Sequence, residues 1–162
     1  MTNKPVEVAL AILYREGEFL MQLRDDKPGI PYPGHWGLFG GHLELGETPE
    51  EGLKRELLEE INYAIATPIA FGCYADLIAI RHVYHAPLTV PLESLVLQEG
   101  WDFALLSTES IGQGSCYSAK ADDFRPLGAI HQQILLNFLA KNGGNCQGRI
   151  DAVNNFGCNN VT

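Results

Sequence analysis

One helix near the middle of the chain is specified at both ends by its own sequence. Thr48 is a good N-cap, Pro49 occupies the first helical position, and Glu51 completes a capping box. At the other end, Asn62 tolerates the left-handed backbone conformation that often ends a helix. The sequence therefore predicts a helix over residues 49–61. Its buried stripe is expected to consist of apolar residues spaced by four, namely Leu53, Leu57 and Ile61.

The segments on either side of this helix are rich in β-formers. Residues 6–14 and 19–24 predict a hairpin, residues 25–35 form a loop with three prolines, and residues 36–43 predict a short strand interrupted by glycines. Later strands are expected within 67–80, 81–90 and 95–106, and helical apolar spacing predicts a last helix over 127–140. This order of elements indicates an α/β fold rather than a helical bundle or a regular βαβ array.

The length and composition favour one folded domain. A chain of 162 residues with 46% hydrophobic residues suffices for a single core without disulfide or zinc support. We expect this domain to span residues 1–141. Residues 142–162 are rich in Asn and Gly and predict a mobile C-terminal tail.

The charge balance and the apolar runs exclude several classes of protein. A net charge of −9 argues against a general DNA or RNA binder, which needs clustered Lys and Arg. No apolar run approaches the length of a membrane span, and the first residues lack the pattern of a signal peptide. The four cysteines are far apart and form no CxxC pair, which argues against zinc. We therefore predict a cytoplasmic protein without a nucleic-acid or membrane partner.

Three glutamates converge on one side of the predicted helix. Glu56, Glu59 and Glu60 stand at i, i+3 and i+4, so their carboxylates share one patch. Three like charges repel, and the repulsion must be offset by solvent, by a proton or by a cation. A solvated acidic face and a site for a hard divalent cation such as Mg²⁺ are both compatible with this spacing.

The wider pattern around these glutamates resembles the Nudix box, G-x5-E-x7-REU-x-EE-x-G-U. The matching residues are Gly41, Glu47, Arg55, Glu56, Leu57, Glu59 and Glu60. Asn62 stands where the family usually has Gly, and it adopts the same backbone region at modest cost. Tyr63 replaces the usual aliphatic residue, which we expect to alter packing only.

The resemblance implies a fold and a set of site residues. Nudix proteins share an α/β/α sandwich with a mixed sheet, and most of them hydrolyse a diphosphate linked to another group with Mg²⁺ or Mn²⁺. By position, the implied metal ligands are Glu56, Glu59, Glu60 and the carbonyl of Gly40. Arg55 would hold Glu47 and thereby orient the helix rather than contact substrate.

Other site residues stay open at this stage. A carboxylate near the attacking water would take its proton; Glu56 is the first candidate, with Glu59 or Glu60 next and Glu99 from a later loop as a further alternative. Arg24 is a candidate phosphate contact or a surface ion pair, and Tyr32 a candidate stacking residue for a base. The candidate substrate-binding residues are thus Arg24, Tyr32 and Glu99.

The predicted function is metal-dependent hydrolysis of a diphosphate linkage in a nucleoside diphosphate derivative. A nucleoside triphosphate or a nucleotide sugar is the substrate class that we favour. A non-catalytic Nudix domain that senses a nucleotide or metabolite is the first alternative, and a non-hydrolytic enzyme on the same scaffold is the second. The expected partner is a small diphosphate compound, and a homodimer is left open.

Overall fold

A computed structural model of the protein describes residues 4–142 of the chain. Its strands are β1 (Val6–Arg15), β2 (Glu18–Leu23), β3 (Trp36–Gly37), β4 (Phe39–His42), β5 (Ile69–Ala75), β6 (Ala79–Pro87), β7 (Asp102–Leu106), β8 (Ser115–Ser118) and β9 (Asp123–Pro126). Its helices are α1 (Pro49–Ile61), α2 (Thr108–Gln113) and α3 (Ala129–Asn142), with a 3₁₀ turn at Leu92–Ser94. From residue 143 onward, the predicted C-terminal tail lies outside the described residues.

A mixed sheet of seven strands forms the centre of the fold. β1 is antiparallel to β2 and β4 and parallel to β6. β2 also pairs with β3 and β7, and β5 lies at one edge beside β6. The predicted hairpin is confirmed, because Tyr14 of β1 faces Phe19 of β2. β8 and β9 form a separate two-stranded hairpin.

The glycine-interrupted strand changes its partner along its length. β3 pairs with β2, whereas β4 pairs with β1. In β4, Gly40 has a φ of 141°, and a Cβ there would lie 1.9 Å from the carbonyl oxygen of Ala9. Only glycine allows this close approach of two backbones. The interruption therefore places the segment before α1 directly against the central strand.

Helices cover both faces of the sheet. α1 packs on one face, in a core that includes Leu53, Leu57 and Ile61, as the spacing predicted. α2 and α3 pack on the other face, where Ile111 and Ile134 join a second core. The expected α/β/α sandwich with a mixed sheet is confirmed. Among residues 4–142, no helix has the length and apolar character needed to cross a bilayer.

The ends of α1 are those that the sequence predicted. The Thr48 hydroxyl accepts a hydrogen bond from the Glu51 amide at 3.2 Å, and the Glu51 carboxylate accepts one from the Thr48 amide at 3.0 Å. Asn62 ends the helix in the left-handed conformation, with a φ of 54°. Tyr63, which follows it, is buried and lies within hydrogen-bond distance of Thr89.

Two parts of the chain differ from the sequence-based expectation. Residues 95–101 were expected in a strand, but the amides of Val96 and Gln98 donate to carbonyls at the end of α1, at Ile61 and Glu60. The strand β7 therefore begins only at Asp102. No element was predicted between 107 and 126, where α2, β8 and β9 lie. These elements are short, so their local signals are weak, and tertiary contacts decide them.

A histidine on α3 is held neutral by its surroundings. His131 Nδ1 accepts a hydrogen bond from the Leu38 amide at 3.1 Å, so a proton on this nitrogen would break that bond. Desolvation, together with the smaller effects of the positive charges of Arg81 and Arg24, lowers the pKa of His131 from 6.5 to about 4. The imidazole therefore serves as a neutral acceptor that joins α3 to the sheet.

We expect this histidine to make the fold sensitive to acid. Between about pH 6.5 and pH 4, His131 is protonated in the unfolded chain but stays neutral in the folded protein. The free energy of unfolding therefore decreases as the pH is lowered through this range. The expected loss is about 2–3 kcal/mol between pH 7 and pH 4. Urea unfolding at both pH values should show a smaller loss in His131→Gln, since the amide does not titrate. Equal losses in both proteins would contradict the prediction.

Candidate functional site

The site is built around one buried carboxylate at the C-terminal half of α1. Glu60 is only 3% exposed. Its Oε1 accepts a hydrogen bond from the Gly40 amide at 3.2 Å, and its Oε2 accepts one from Gln22 Nε2 at 3.1 Å. Desolvation, followed by the negative charge of Glu56, raises the pKa of Glu60 well above the usual range of a carboxyl group. Because burial disfavours its negative charge, this carboxylate would be stabilised by a proton or by a cation.

A second carboxylate lies directly beside it. The negative charge of Glu56, and to a smaller extent that of Glu99, raises the pKa of Glu60. A Cβ on Gly41 would lie 2.5 Å from the carboxyl carbon of Glu56, so the absent side chain leaves the room that this carboxylate occupies. Glu56 and Glu60 of α1 thus lie side by side at the paired glycines of β4, and Glu99, before β7, is close enough to affect the pKa of Glu60.

A single arginine organises the other side of the site. Arg55 Nε and Nη2 donate to the two carboxylate oxygens of Glu47 at 2.7 and 2.9 Å. Its Nη1 donates to Glu56 at 2.9 Å and to Glu59 at 3.2 Å, and its Nη2 also donates to the carbonyl of His42. Hydrogen bonding to Arg55 lowers the pKa of Glu47 to about 2. Arg55 therefore joins the loop before α1 to two of the acidic residues on α1.

The chemistry of these donors fits a hard divalent cation. Glu56, Glu59 and Glu60 present carboxylate oxygens only, and oxygen is the ligand that Mg²⁺ prefers. Within residues 4–142, no three acidic, histidine or cysteine side chains already surround a common point. Glu59 is the member that is turned away: its side chain is 60% exposed and contacts Arg55. Because the Glu59 side chain is exposed, it can rotate towards Glu56 and Glu60 at low cost. The three carboxylates therefore suit a hard divalent cation by their chemistry.

The candidate substrate residues lie in different surroundings. Glu99 lies near Glu60, as its effect on the pKa of Glu60 shows. Arg24 follows β2, and its Nε is buried without a hydrogen-bond partner in the described structure. Tyr32 lies in the loop after β2, with its ring edge-on to His131 at a centroid distance of 6.0 Å. The structure thus brings only Glu99 to the acidic residues of α1.

The sequence analysis did not identify the sheet residue that binds the Glu60 carboxylate. Gln22 is 5% exposed and lies in β2, where it pairs with Gly37 of β3. A single amide side chain inside the otherwise apolar run 19–23 was the available signal. A buried polar group needs a partner, and that partner is the carboxylate of Glu60.

We expect Gly41→Ala to lower activity without unfolding the protein. The new methyl group would displace the Glu56 carboxylate, which is the far end of a flexible side chain and moves cheaply. The expected drop in kcat is about tenfold, with the melting temperature nearly unchanged. Kinetics and thermal unfolding of the same preparation test this, and an unchanged kcat would contradict it.

Comparison with known proteins identifies related sequences over part of the chain. The NUDIX domain family model matches residues 4–100. A nucleoside triphosphatase NudI from an Enterobacter species is 39% identical over 54 residues, which are 33% of this chain and 38% of that relative. NudI from Escherichia coli is 37% identical over the same length, again 38% of that relative. The chain thus spans well under half the length of these curated relatives.

Solved structures share the fold at low sequence identity. The MutT protein from Methanosarcina mazei Go1 superimposes with a TM-score of 0.66 and 22% identity, covering 86% of this chain and 97% of that one. The NUDIX domain of Shewanella oneidensis NrtR, complexed with ADP ribose, gives a TM-score of 0.65 and 17% identity over 86% of this chain and 89% of that one. These structures have the same α/β/α architecture.

Proposed function

This chain belongs to the Nudix family, and from that premise we propose that it hydrolyses a diphosphate linkage in a nucleoside diphosphate derivative. The observation that carries the proposal is the position of Glu56 and Glu60. Both lie beside the paired glycines of β4: Glu60 accepts a hydrogen bond from the Gly40 amide, and a Cβ on Gly41 would lie 2.5 Å from the carboxyl carbon of Glu56. Arg55 Nη1 donates to the Glu56 carboxylate at 2.9 Å. A solvated acidic face would not bury one of its carboxylates to 3% exposure.

The substrate class that we favour is a nucleoside triphosphate. The partial match to NudI, a nucleoside triphosphatase, supports this choice over the segment that the two chains share. Nucleotide sugars are the second class. ADP-ribose belongs among the compounds to test, since the NUDIX domain of NrtR binds it on the same fold.

The proposed metal ligands are Glu56, Glu59, Glu60 and the carbonyl of Gly40. When bound there, Mg²⁺ or Mn²⁺ would neutralise phosphate oxygens and lower the pKa of a water molecule. Burial and mutual repulsion of the carboxylates are the features of this structure that favour a cation.

The remaining roles belong to side chains of the chain itself. Glu56 is the proposed general base, because Arg55 donates to its carboxylate and the missing side chain of Gly41 leaves the room that this carboxylate occupies. Arg55, through Glu47, fixes the loop before α1 against that helix. Gln22 and the amide of Gly40 hold Glu60 in place. Positioning of this kind is a large part of catalysis in phosphoryl transfer.

A nucleotide panel tests the proposal. Purified protein is incubated with nucleoside triphosphates, nucleotide sugars, ADP-ribose and dinucleoside polyphosphates, with and without Mg²⁺, and released phosphate or pyrophosphate is measured. Metal-dependent release from at least one class is the expected result. A protein that binds one of these compounds in calorimetry but releases nothing would be a sensing domain, and the hydrolase proposal would be wrong.

A further inference from the structure

Arg125 of β9 is far from the acidic site in sequence but contacts the loop after β2. Its Nη2 donates to the carboxylate of Asp26 at 2.8 Å, and its Nε donates to the carbonyl of Gly34 at 3.0 Å. The two partners lie near opposite ends of the loop, which has no regular secondary structure over 25–35. One guanidinium therefore closes this loop by binding both ends.

The loop backbone is shaped to admit the guanidinium. Gly34 has a φ of 66°, and a Cβ there would lie 1.9 Å from Arg125 Nη2. The amide of Gly34 also donates to the carbonyl of Asp25, and this hydrogen bond holds the two ends of the loop together. Between these ends lies Tyr32, itself in the left-handed region with a φ of 49°. The position of the Tyr32 side chain thus depends on a loop that Arg125 closes.

The same guanidinium contacts a second segment beside the site. Its central carbon lies 5.4 Å from the ring centroid of Trp101, in a cation–π arrangement. The Trp101 amide donates to the carbonyl of Leu23 at the end of β2. Two residues earlier, Glu99 affects the pKa of Glu60. Arg125 therefore lies between the segment that carries Glu99 and the loop that carries Tyr32.

We propose that Arg125 is a positioning residue that holds the 25–35 loop against Trp101 and thereby sets the affinity of the site for the nucleoside part of its substrate. This inference rests on the proposed function. The two segments flank the end of β2, where Arg24 stands. The end of β2 leads to the acidic site, because Gln22 donates to the carboxylate of Glu60 at 3.1 Å. We infer that the two segments beside that end contact the nucleoside of a substrate whose diphosphate lies at the acidic site.

The proposal separates binding from chemistry. The contacts of Arg55 with Glu47 and Glu56 do not involve Arg125. Without Arg125, the 25–35 loop samples more conformations, and ordering it on binding costs free energy. The loss should therefore appear in KM, whereas kcat at saturation should stay near the original value.

The test compares Arg125→Gln, Asp26→Asn and the double variant with the wild type. Lys120→Gln is the matched control, because Lys120 is exposed between β8 and β9 and its loss changes the charge equally. On the substrate found in the panel, Arg125→Gln should raise KM about tenfold and leave kcat within about twofold. Asp26→Asn should raise KM less, and the double variant should resemble Arg125→Gln, because the two residues act through one contact.

A second measurement needs no turnover. Trp36 is fully buried, so acrylamide quenching of the two tryptophans reports mainly on Trp101. Quenching should increase in Arg125→Gln and not in Lys120→Gln. If the wild type binds a nucleotide without hydrolysing it, the dissociation constant replaces KM, and the proposal is judged on that value.

Two results would overturn the inference while leaving the proposed function intact. One is a wild-type hydrolase whose KM and quenching are unchanged in Arg125→Gln. The other is a fall of kcat in step with the melting temperature at constant KM, which would make Arg125 a purely structural residue. A wild type that neither binds nor hydrolyses any compound of the panel would instead overturn the proposed function, and this inference with it.

Discussion

Replacing Glu56 by glutamine is expected to lower kcat for diphosphate hydrolysis by about 10²–10⁴-fold, the range for loss of a general base. The amide keeps the size of the side chain but cannot take a proton from water. It also removes one of the charges that repel Glu60, so the fold should be at least as stable as in the wild type. Steady-state kinetics at several Mg²⁺ concentrations, together with thermal unfolding, measure both effects.

The other acids provide the comparison for this prediction. Glu99→Gln should lower kcat less than Glu56→Gln does, because Arg55 donates to Glu56 and not to Glu99. If Glu99→Gln abolished turnover while Glu56→Gln kept kcat within about threefold of the wild type, the base would be Glu99 and the assignment of Glu56 would be wrong.

Replacing Arg55 by glutamine should lower kcat by about 10²-fold. This is the loss expected when catalytic groups are displaced by about 1 Å. Arg55 is the common partner of Glu47, Glu56 and Glu59, so its loss frees the loop before α1 and two acidic side chains together. The effect should appear mainly in kcat, since Arg55 is directed at the protein's own carboxylates. Kinetics on the substrate found in the panel measure it.

Two further variants sharpen the Arg55 experiment. Arg55→Lys keeps the charge but loses the paired contact with Glu47, so it should recover only part of the activity. Lys54→Gln alters the neighbouring residue, whose exposed ion pair with Glu50 is remote from these contacts, and should behave as the wild type. Full activity in Arg55→Lys would show that charge alone, rather than the geometry of the guanidinium, is needed.

The helix that carries the site was predictable because its signals are local. The cap at Thr48, the reciprocal bond with Glu51 and the end at Asn62 involve residues at most four positions from each end of the helix. The resemblance to the Nudix box rests on the same short segment, and the family match confirms it. The hairpin of β1 and β2 was predictable for the same reason, since a short turn joins two apolar runs.

The contacts that complete the site are long-range and left little trace in the sequence. Gln22 reaches Glu60 across 38 positions, and Arg125 reaches Gly34 across 91. The segment 95–101 was predicted as part of a strand, yet the amides of Val96 and Gln98 donate to carbonyls at the end of α1. Such choices depend on which backbone groups the folded chain leaves free, and no local pattern reports that.

By itself, the sequence determined that Glu56, Glu59 and Glu60 share one side of a well-capped helix, because helical periodicity depends only on spacing. The tertiary structure decided how the three differ: Glu60 is buried against Gln22 and Gly40, whereas Glu59 stays exposed beside Arg55. Burial and its effect on a carboxyl pKa depend on which distant strands cover the helix. That depends on the packing of the whole sheet and not on the residues of the helix alone.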